Sequence, residues 1–590
     1  MTQTQIKNAR TYILTDRLTR FRGWLSQNNL DGFLLPRTDE YQSEYLAPYA
    51  ERLSWLTGFT GSNAFAIILK DKAYVSTDGR YTLQIKKEVP PEHFALGDMM
   101  VDPVSNWLAK EAHKGARIGY DAKLLTPKQF EKFESVAKKE GMTLIPVAEH
   151  PIDAIRTDKL DAPESAVTAF NADLAGRDVT EKRTLIAQKL KEAGVDGFVL
   201  TQPDTIAWLL NVRSDDIPHT PVPLSYALIT NEGAVHWYIK PNRVTDTVRA
   251  TLGNHVSLTP PEQMADDLMA FCDDAGKIIG LDPARTPLWF YNLVKETKAQ
   301  VTDMDNPCIL PRACKTAAEQ KAMKQAHKRD GKAVHNFLSW IKSEAAKPDF
   351  TFSELDVVAK LRAFREETGK LKDDSFETIA GWNENGAVIH YRAEESTNLP
   401  IQLPGILLLD SGGQYEDGTT DITRTIALGT PTTEQVRNAT LVLKAHIALA
   451  MARFPEGTTG AQLDAICRNV LWREGLDYAH GTGHGVGCYL SVHEEATAIS
   501  PRVNDAVKAG MILSNEPGYY KNGEYGIRHE NLVLVFETGE KTSIGKPLLA
   551  FETITLVPFD EDLIDETLLT AEELAWLSAY QEKSRANCAH

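Results

Sequence analysis

Cysteine is scarce in this chain. Six occur in 590 residues (Cys272, Cys308, Cys314, Cys467, Cys488, Cys588), scattered and with no CxxC pair. That pattern argues against a disulfide framework or a structural zinc site and fits reduced thiols. Long apolar runs are lacking too, so no segment is expected to cross a bilayer. Positive charge is in deficit: 64 Lys and Arg face 81 Asp and Glu, a net −17. A nucleic-acid backbone or an anionic membrane attracts the opposite sign. The start, Met1-Thr2-Gln3-Thr4-Gln5, leads into polar sequence without a secretory apolar core, and a cytoplasmic location is expected. What remains is ordinary globular composition, 42% hydrophobic and 25% charged, enough chain for about three or four domains.

Two stretches echo each other. Leu30-Asp31-Gly32-Phe33-Leu34-Leu35 matches Val195-Asp196-Gly197-Phe198-Val199-Leu200 at an offset of 165, and Ile118-Gly119-Tyr120-Asp121 matches Ile279-Gly280-Leu281-Asp282 at an offset of 161. Each reads as helix, buried strand, hairpin strands, helix, strand, helix, an α/β layered pattern. The expected domains are therefore 1–155, its spacer-like repeat 156–314, and a third domain 315–590. The first module alone inserts Arg37 to Arg52 and carries Thr77-Asp78-Gly79-Arg80-Tyr81.

In the third domain a helix-helix-sheet order occurs twice. Helical patterns span Ala317 to Ala345 and then, from a Thr351/Glu354 capping box, reach Thr368. Strand-like segments follow at Ser375 to Trp382, Ala387 to Arg392, Gly405 to Tyr415 and Asp421 to Leu428. Helices recur at Thr433 to Phe454 and Thr459 to Gly475, then strands at Gly481 to Val492, Met511 to Tyr520 and Tyr525 to Phe536. The recurrence predicts pseudo-twofold symmetry, with a site fed by both halves.

Asp410 ends an apolar run, and Asp421 lies 11 residues on, past an Asp-Gly step that signals a hairpin. With an even loop, an odd separation sets both carboxylates on one sheet face. Glu516 and Glu530 are 14 apart, so a three-residue loop, Asn522 to Glu524, is needed to make them cross-strand partners. Between the pairs lies His480-Gly481-Thr482-Gly483-His484-Gly485-Val486-Gly487, whose glycines allow close approach to a ligand. Four crowded carboxylates would take up protons unless cations compensate. Carboxylates with one imidazole favour manganese-like ions over structural zinc. An aspartate at a strand end is more often a turn residue; five candidate ligands in the order Asp, Asp, His, Glu, Glu are far more specific.

The DSGGQYEDGTTDITRT, HGTGHGVG, NEPGYY and GIRHEN segments resemble the metal-dependent pita-bread peptidases. Gln42 to Pro48, Leu56 to Ser62 and Thr77 to Tyr81 narrow the resemblance to three-domain aminopeptidase P. The resemblance implies two creatinase-N-terminal-like α/β modules before a pita-bread catalytic domain. It also implies an Xaa-Pro aminopeptidase acting on peptides with proline second, two divalent ions (Mn2+ expected) and a homodimer with the first module as contact surface; the acidic balance and the lack of a long apolar run argue for no nucleic-acid or membrane partner. It carries the ligand set onto Asp410, Asp421, His484, Glu516 and Glu530, with Asp421 and Glu530 bridging. A hydroxide between the ions would attack the scissile carbonyl, and Glu516 would pass the proton to the leaving proline nitrogen.

By the same resemblance His390, His484 and His493 contact substrate, and His480 lies nearer the leaving side. Arg528 shares the face of Glu530 and acts on the carboxylates or forms an ion pair. Arg80 would need domain closure or a partner subunit to reach the site; otherwise it is a local salt bridge. His529 departs from the family's apolar residue and should point away from Glu530. The alternatives are a prolidase-type dipeptidase, a non-catalytic pita-bread scaffold, and a metal-free creatine-cleaving relative.

Overall fold

A computed structural model describes residues 3–589, and the side chains of residues 11–588. The chain forms two compact units, one of Met1–Ala169 with Asp178–Cys308, the other of Phe170–Arg177 with Ile309–His590. Among the described residues no helix is long and apolar enough to cross a membrane.

The first unit holds two six-stranded sheets with one topology. In spatial order the first runs Ala95–Asp98, Ala73–Thr77, Ala64–Leu69, Gly32–Pro36, Arg117–Tyr120, Thr143–Pro146. The second runs Val256–Thr259, Val235–Tyr238, Tyr226–Thr230, Gly197–Leu200, Ile278–Leu281, Gln300–Asp303. The repeat extends to single residues. Phe33 pairs with Gly119 and Phe198 with Gly280. A Cβ on either glycine would press the phenylalanine ring at 2.8 Å, so both copies need glycine there. The first module's insertion meets the second module through Tyr41, which stacks on Tyr226 at 4.7 Å, while Arg52 grips Asp153 within the first module.

The second unit is two helix-pair-on-sheet halves. Glu354–Glu366 and Ala317–Ala345 cover Ile379–Trp382, Gly405–Ser411 and Ile422–Leu428, burying Phe337, Ile341 and Leu361 against Leu407, Leu409 and Ile426. Thr433–Ala450 and Gly460–Trp472 cover a six-stranded sheet, burying Val442, Leu449 and Leu463 against Leu513, Val533 and Val535. Each such side chain contributes about 1.5–3 kcal/mol. All four helices start with a capping box, at Thr316, Ser353, Thr432 and Thr459. A C-terminal helix, Ala571–Ala589, docks through Leu577 and Tyr580 onto Leu443, Ile447 and Phe559.

Three local expectations need correction. The second helix is capped by Ser353 with Asp356, not by Thr351 with Glu354. Glu354 is instead fully buried, accepting from the Trp382 and Leu399 amides and the Tyr391 hydroxyl. Ala387 to Arg392 is a 3-10 turn and loop rather than a strand. Gly386, just before it in the same 3-10 turn, packs backbone to backbone against Gly381 and Gly526, where a Cβ on either would collide with it. Within Gly481 to Val492 only Gly483–Gly485 is strand; the chain then turns at Tyr489, φ 51°, with Gly487 packed against Leu490.

Candidate metal centre

The Asp hairpin keeps one register throughout. Asp410 pairs with Thr423, and Tyr415 pairs with Gly418 across a two-residue Glu416-Asp417 turn. Asp421 thus lies opposite Gly412, two residues from Asp410 and on the same face. Gly412 cannot carry a Cβ without striking the Thr420 carbonyl and Ser375 Oγ. The Glu pair follows the same logic. Asn515 pairs with Asn531, and Gly518 with Arg528, in one continuous register. Glu516 therefore faces Glu530 where the ladder is interrupted. The turn is the expected three residues, Asn522 to Glu524, with Gly523 at φ 76°.

These elements bring carboxylates and imidazole together. One ligand atom each from Asp421, His484 and Glu530 lies within 4.8 Å of the others. His484 Nε2 is 3.4 Å from Asp421 and 3.5 Å from Glu516. Its Nδ1 lies 2.9 Å from the Gly485 carbonyl, which leaves Nε2 facing the carboxylates. Asp410 Oδ2 accepts from Arg528 at 2.6 Å, while its Oδ1 is buried with no hydrogen-bond partner among the described residues.

Burial lifts Asp421 and Glu530 well above the ordinary carboxylate range, and the neighbouring carboxylates raise them further. Glu516 is raised by burial too, with Asp410 adding to the shift and His484 and Arg528 opposing it. The Arg528 guanidinium reaches the cluster's carboxylates through Asp410. Burial works against its charge, but Tyr520 and the carboxylates Asp410 and Glu516 outweigh that and hold it protonated. One cation against four carboxylates leaves a negative surplus, which two divalent ions would more than offset. The orphaned Asp410 oxygen and the converging atoms of Asp421, His484 and Glu530 fit such ions.

His493 sets its ring 4.4 Å from that of His484, edge to face. Its neighbour Glu494 is buried between Lys315 and Arg312. His480 is 3.8 Å from Glu516 and 2.8 Å from the Tyr520 hydroxyl. Tyr520 accepts from Arg528 at 2.7 Å, so its own hydrogen goes to His480 Nε2, and His480 Nδ1 donates to the Gly481 carbonyl. His390 follows Ile389, whose carbonyl accepts from Arg528 at 3.4 Å. Arg80, in the first unit, is held by Asp78 at 2.8 Å with Glu44 at 3.8 Å. His529 is buried, points away from Glu530, and meets the Phe559 ring at 5.3 Å.

Several contributors carried no role in the sequence reading. Thr423 Oγ1 donates to Glu530 at 2.8 Å and accepts from Arg528 at 3.2 Å. Ser514 Oγ accepts from the His484 amide at 2.9 Å and donates to Glu516 at 3.2 Å. Tyr520 was within reach of pattern: it pairs with Gly526, diagonal to Arg528 on one face.

Comparison with known proteins places the chain in a family. Residues 321–537 match metallopeptidase family M24, and 547–589 match the C-terminal region of peptidase M24. Residues 17–157 and 158–319 each match a creatinase/prolidase N-terminal domain. The chain belongs to metallopeptidase family M24, in the form preceded by two such N-terminal domains. A probable Xaa-Pro aminopeptidase P of Fusarium vanettenii is 38% identical over 96% of this chain and 95% of its own. X-prolyl aminopeptidase of Caenorhabditis elegans, described as a cytosolic enzyme with a di-nuclear active site, superposes with a TM-score of 0.93 at 31% identity. That match covers 98% of this chain and 96% of the other. An Xaa-Pro dipeptidase of Bacillus anthracis shares the fold over only 65% of this chain and 99% of its own, at 24% identity and a TM-score of 0.52.

Proposed function

We propose that this chain is an aminopeptidase that releases the N-terminal residue from peptides with proline in the second position, using two divalent ions. The observation that carries the reading is the cluster of Asp421, His484 and Glu530, flanked by Asp410 and Glu516. It sits in a chain that matches Xaa-Pro aminopeptidase P relatives end to end. Asp410, Asp421, His484, Glu516 and Glu530 would hold the two ions, with Asp421 and Glu530 contributing to both. Two divalent ions, when bound, supply Lewis acidity and acidify a water.

The protein's own groups do the rest. Glu516, oriented by Ser514, takes up the proton and returns it to the leaving nitrogen. That nitrogen belongs to proline and has no hydrogen of its own. His390 and His493 contact the reacting amide. His480 is fixed on the leaving side through Tyr520, and Arg80 is a further proposed substrate contact. Residues 1–155 serve substrate and dimer contacts, 156–314 is a spacer, and 315–590 carries the chemistry. Manganese is the proposed ion, because oxygen donors with one imidazole suit it. A cytoplasmic homodimer is part of the same proposal.

The test compares a tripeptide with proline second against an Xaa-Pro dipeptide after manganese addition. The tripeptide should be cleaved and chelation should abolish turnover. Asp421→Asn should cost at least about a hundredfold in kcat/KM. Turnover surviving complete metal removal would defeat the reading, and preference for the dipeptide would make the enzyme a prolidase.

A further inference from the structure

Strand alternation gives the metal-ligand sheet a reverse face. Asp421, Thr423, Arg528 and Glu530 point one way, so Arg424, His529 and Asn531 point the other. Arg424 is 1% exposed, yet its hydrogen bonds go to carbonyls, an amide oxygen and a phenol, none of them to a carboxylate. Nη1 donates to the Glu530 carbonyl at 2.6 Å and the Thr423 carbonyl at 2.8 Å. Nη2 donates to Asn531 Oδ1 at 2.8 Å, to the Val557 carbonyl at 2.6 Å and to the Tyr580 hydroxyl at 2.8 Å. Nε reaches the Pro558 carbonyl at 3.2 Å.

A buried guanidinium is costly unless its donors are satisfied, and these donors are spent on main chain. Two of the carbonyls belong to the strands that carry the proposed bridging residues: Glu530 itself, and Thr423, two residues past Asp421. The remainder belong to the C-terminal region. Tyr580, on the terminal helix, accepts from Arg424 and lies 2.9 Å from the Val557 carbonyl. Its ring stacks on Trp576 at 5.2 Å, so the hydroxyl is held in place by packing.

We propose that Arg424 and Tyr580 are positioning residues for the metal centre: the C-terminal helix, through Tyr580, fixes Arg424, and Arg424 fixes the spacing between the Asp421 and Glu530 strands from behind. This rests on those residues being the bridging ligands. Outer-shell partners of metal ligands commonly set affinity by factors of 10 to 100, and here that control comes from the chain's last helix.

The experiment is manganese titration of the metal-free full-length protein by calorimetry, with melting temperature measured in chelator. Tyr580→Phe keeps the ring and its stacking and removes only the hydroxyl. It should weaken Mn2+ binding about tenfold. Gln581→Ala is the control. Gln581 holds the same helix through both backbone groups of Phe559 at 2.9 Å and makes no hydrogen bond to Arg424, which it meets only through the Phe559 ring, 4.2 Å from the guanidinium. It should lower the melting temperature and leave Mn2+ affinity as in wild type. Arg424→Lys, which loses the planar fork, should weaken binding more than Tyr580→Phe. Wild-type affinity in Tyr580→Phe, or equal weakening in Gln581→Ala, would overturn the proposal. Absence of Mn2+ binding by the wild type would instead defeat the metal-centre reading beneath it.

Discussion

Ser514 shows how one small side chain sets a site. Its hydroxyl accepts from the His484 amide and donates to Glu516, so it spaces two candidate ligands from neighbouring strands. Ser514→Ala leaves a buried amide unpaired, worth about 1–3 kcal/mol, and frees the Glu516 carboxylate to rotate. Thermal unfolding should register that loss, and Mn2+ affinity should fall on the order of tenfold. Unchanged affinity in a manganese titration would show that Glu516 is oriented without Ser514. Such a residue is hard to read from sequence, because a serine on a strand is as often a spectator as an anchor. Asp410, Asp421, His484, Glu516 and Glu530 were legible because carboxylates and imidazole in fixed order have few other uses. Arg424 was not, since its partners are main-chain carbonyls that no motif records. His529 was half legible: alternation gave its direction, but the aromatic wall it meets comes from Phe559, 30 residues away.

At the scale of elements, turn chemistry carried most of the information. A two-residue turn at Glu416-Asp417 and a three-residue turn at Asn522 to Glu524 fix both carboxylate pairs on their faces. The stretch from Gly386 to Leu399 resisted reading because its anchor lies on a distant helix. Glu354 accepts from the Trp382 amide at 2.7 Å, the Tyr391 hydroxyl at 2.7 Å and the Leu399 amide at 2.9 Å. It thereby holds both ends of the loop that carries His390. A glutamate three residues after a threonine resembles a capping box, and tertiary contacts overrode that local signal. Glu354→Gln turns one acceptor into a donor facing donors. It should cost about 1–3 kcal/mol and lower kcat through a loosened His390, while Mn2+ affinity stays near wild type. Denaturant unfolding and steady-state kinetics on the metal-loaded variant would check this. Full stability in Glu354→Gln would show that the loop is held elsewhere.

Across the whole molecule the acidic surplus and the buried polar groups make stability and metal binding depend on pH in separable ways. His446 is buried and pushed down to about 3, first by burial and then by Arg424. Its unfolded value is near 6.5, so the unfolded chain binds more protons between the two values. Its contribution is complete above pH 6.5 and is lost as pH falls. Relative to His446→Gln, the wild type should lose about 2–3 kcal/mol between pH 6.5 and 4.5. A pH-independent difference in chemical unfolding would show that His446 already titrates normally in the folded state. The carboxylate cluster behaves oppositely. Asp421 is raised by burial and by Asp410 and Glu516, and Glu530 by burial and by Asp421 and Asp410, so the metal-free protein retains protons there that the unfolded chain would give up. Filling the site with divalent cations restores the charge balance, and those protons must leave. Calorimetric titration of the metal-free protein with Mn2+ in two buffers of different ionisation enthalpy should therefore show net proton release that grows as the pH is lowered. Asp421→Asn removes one of the raised groups and should reduce that release. Identical heats in both buffers at every pH would mean that the carboxylates are already ionised without a metal, and that something other than the ions compensates their charge.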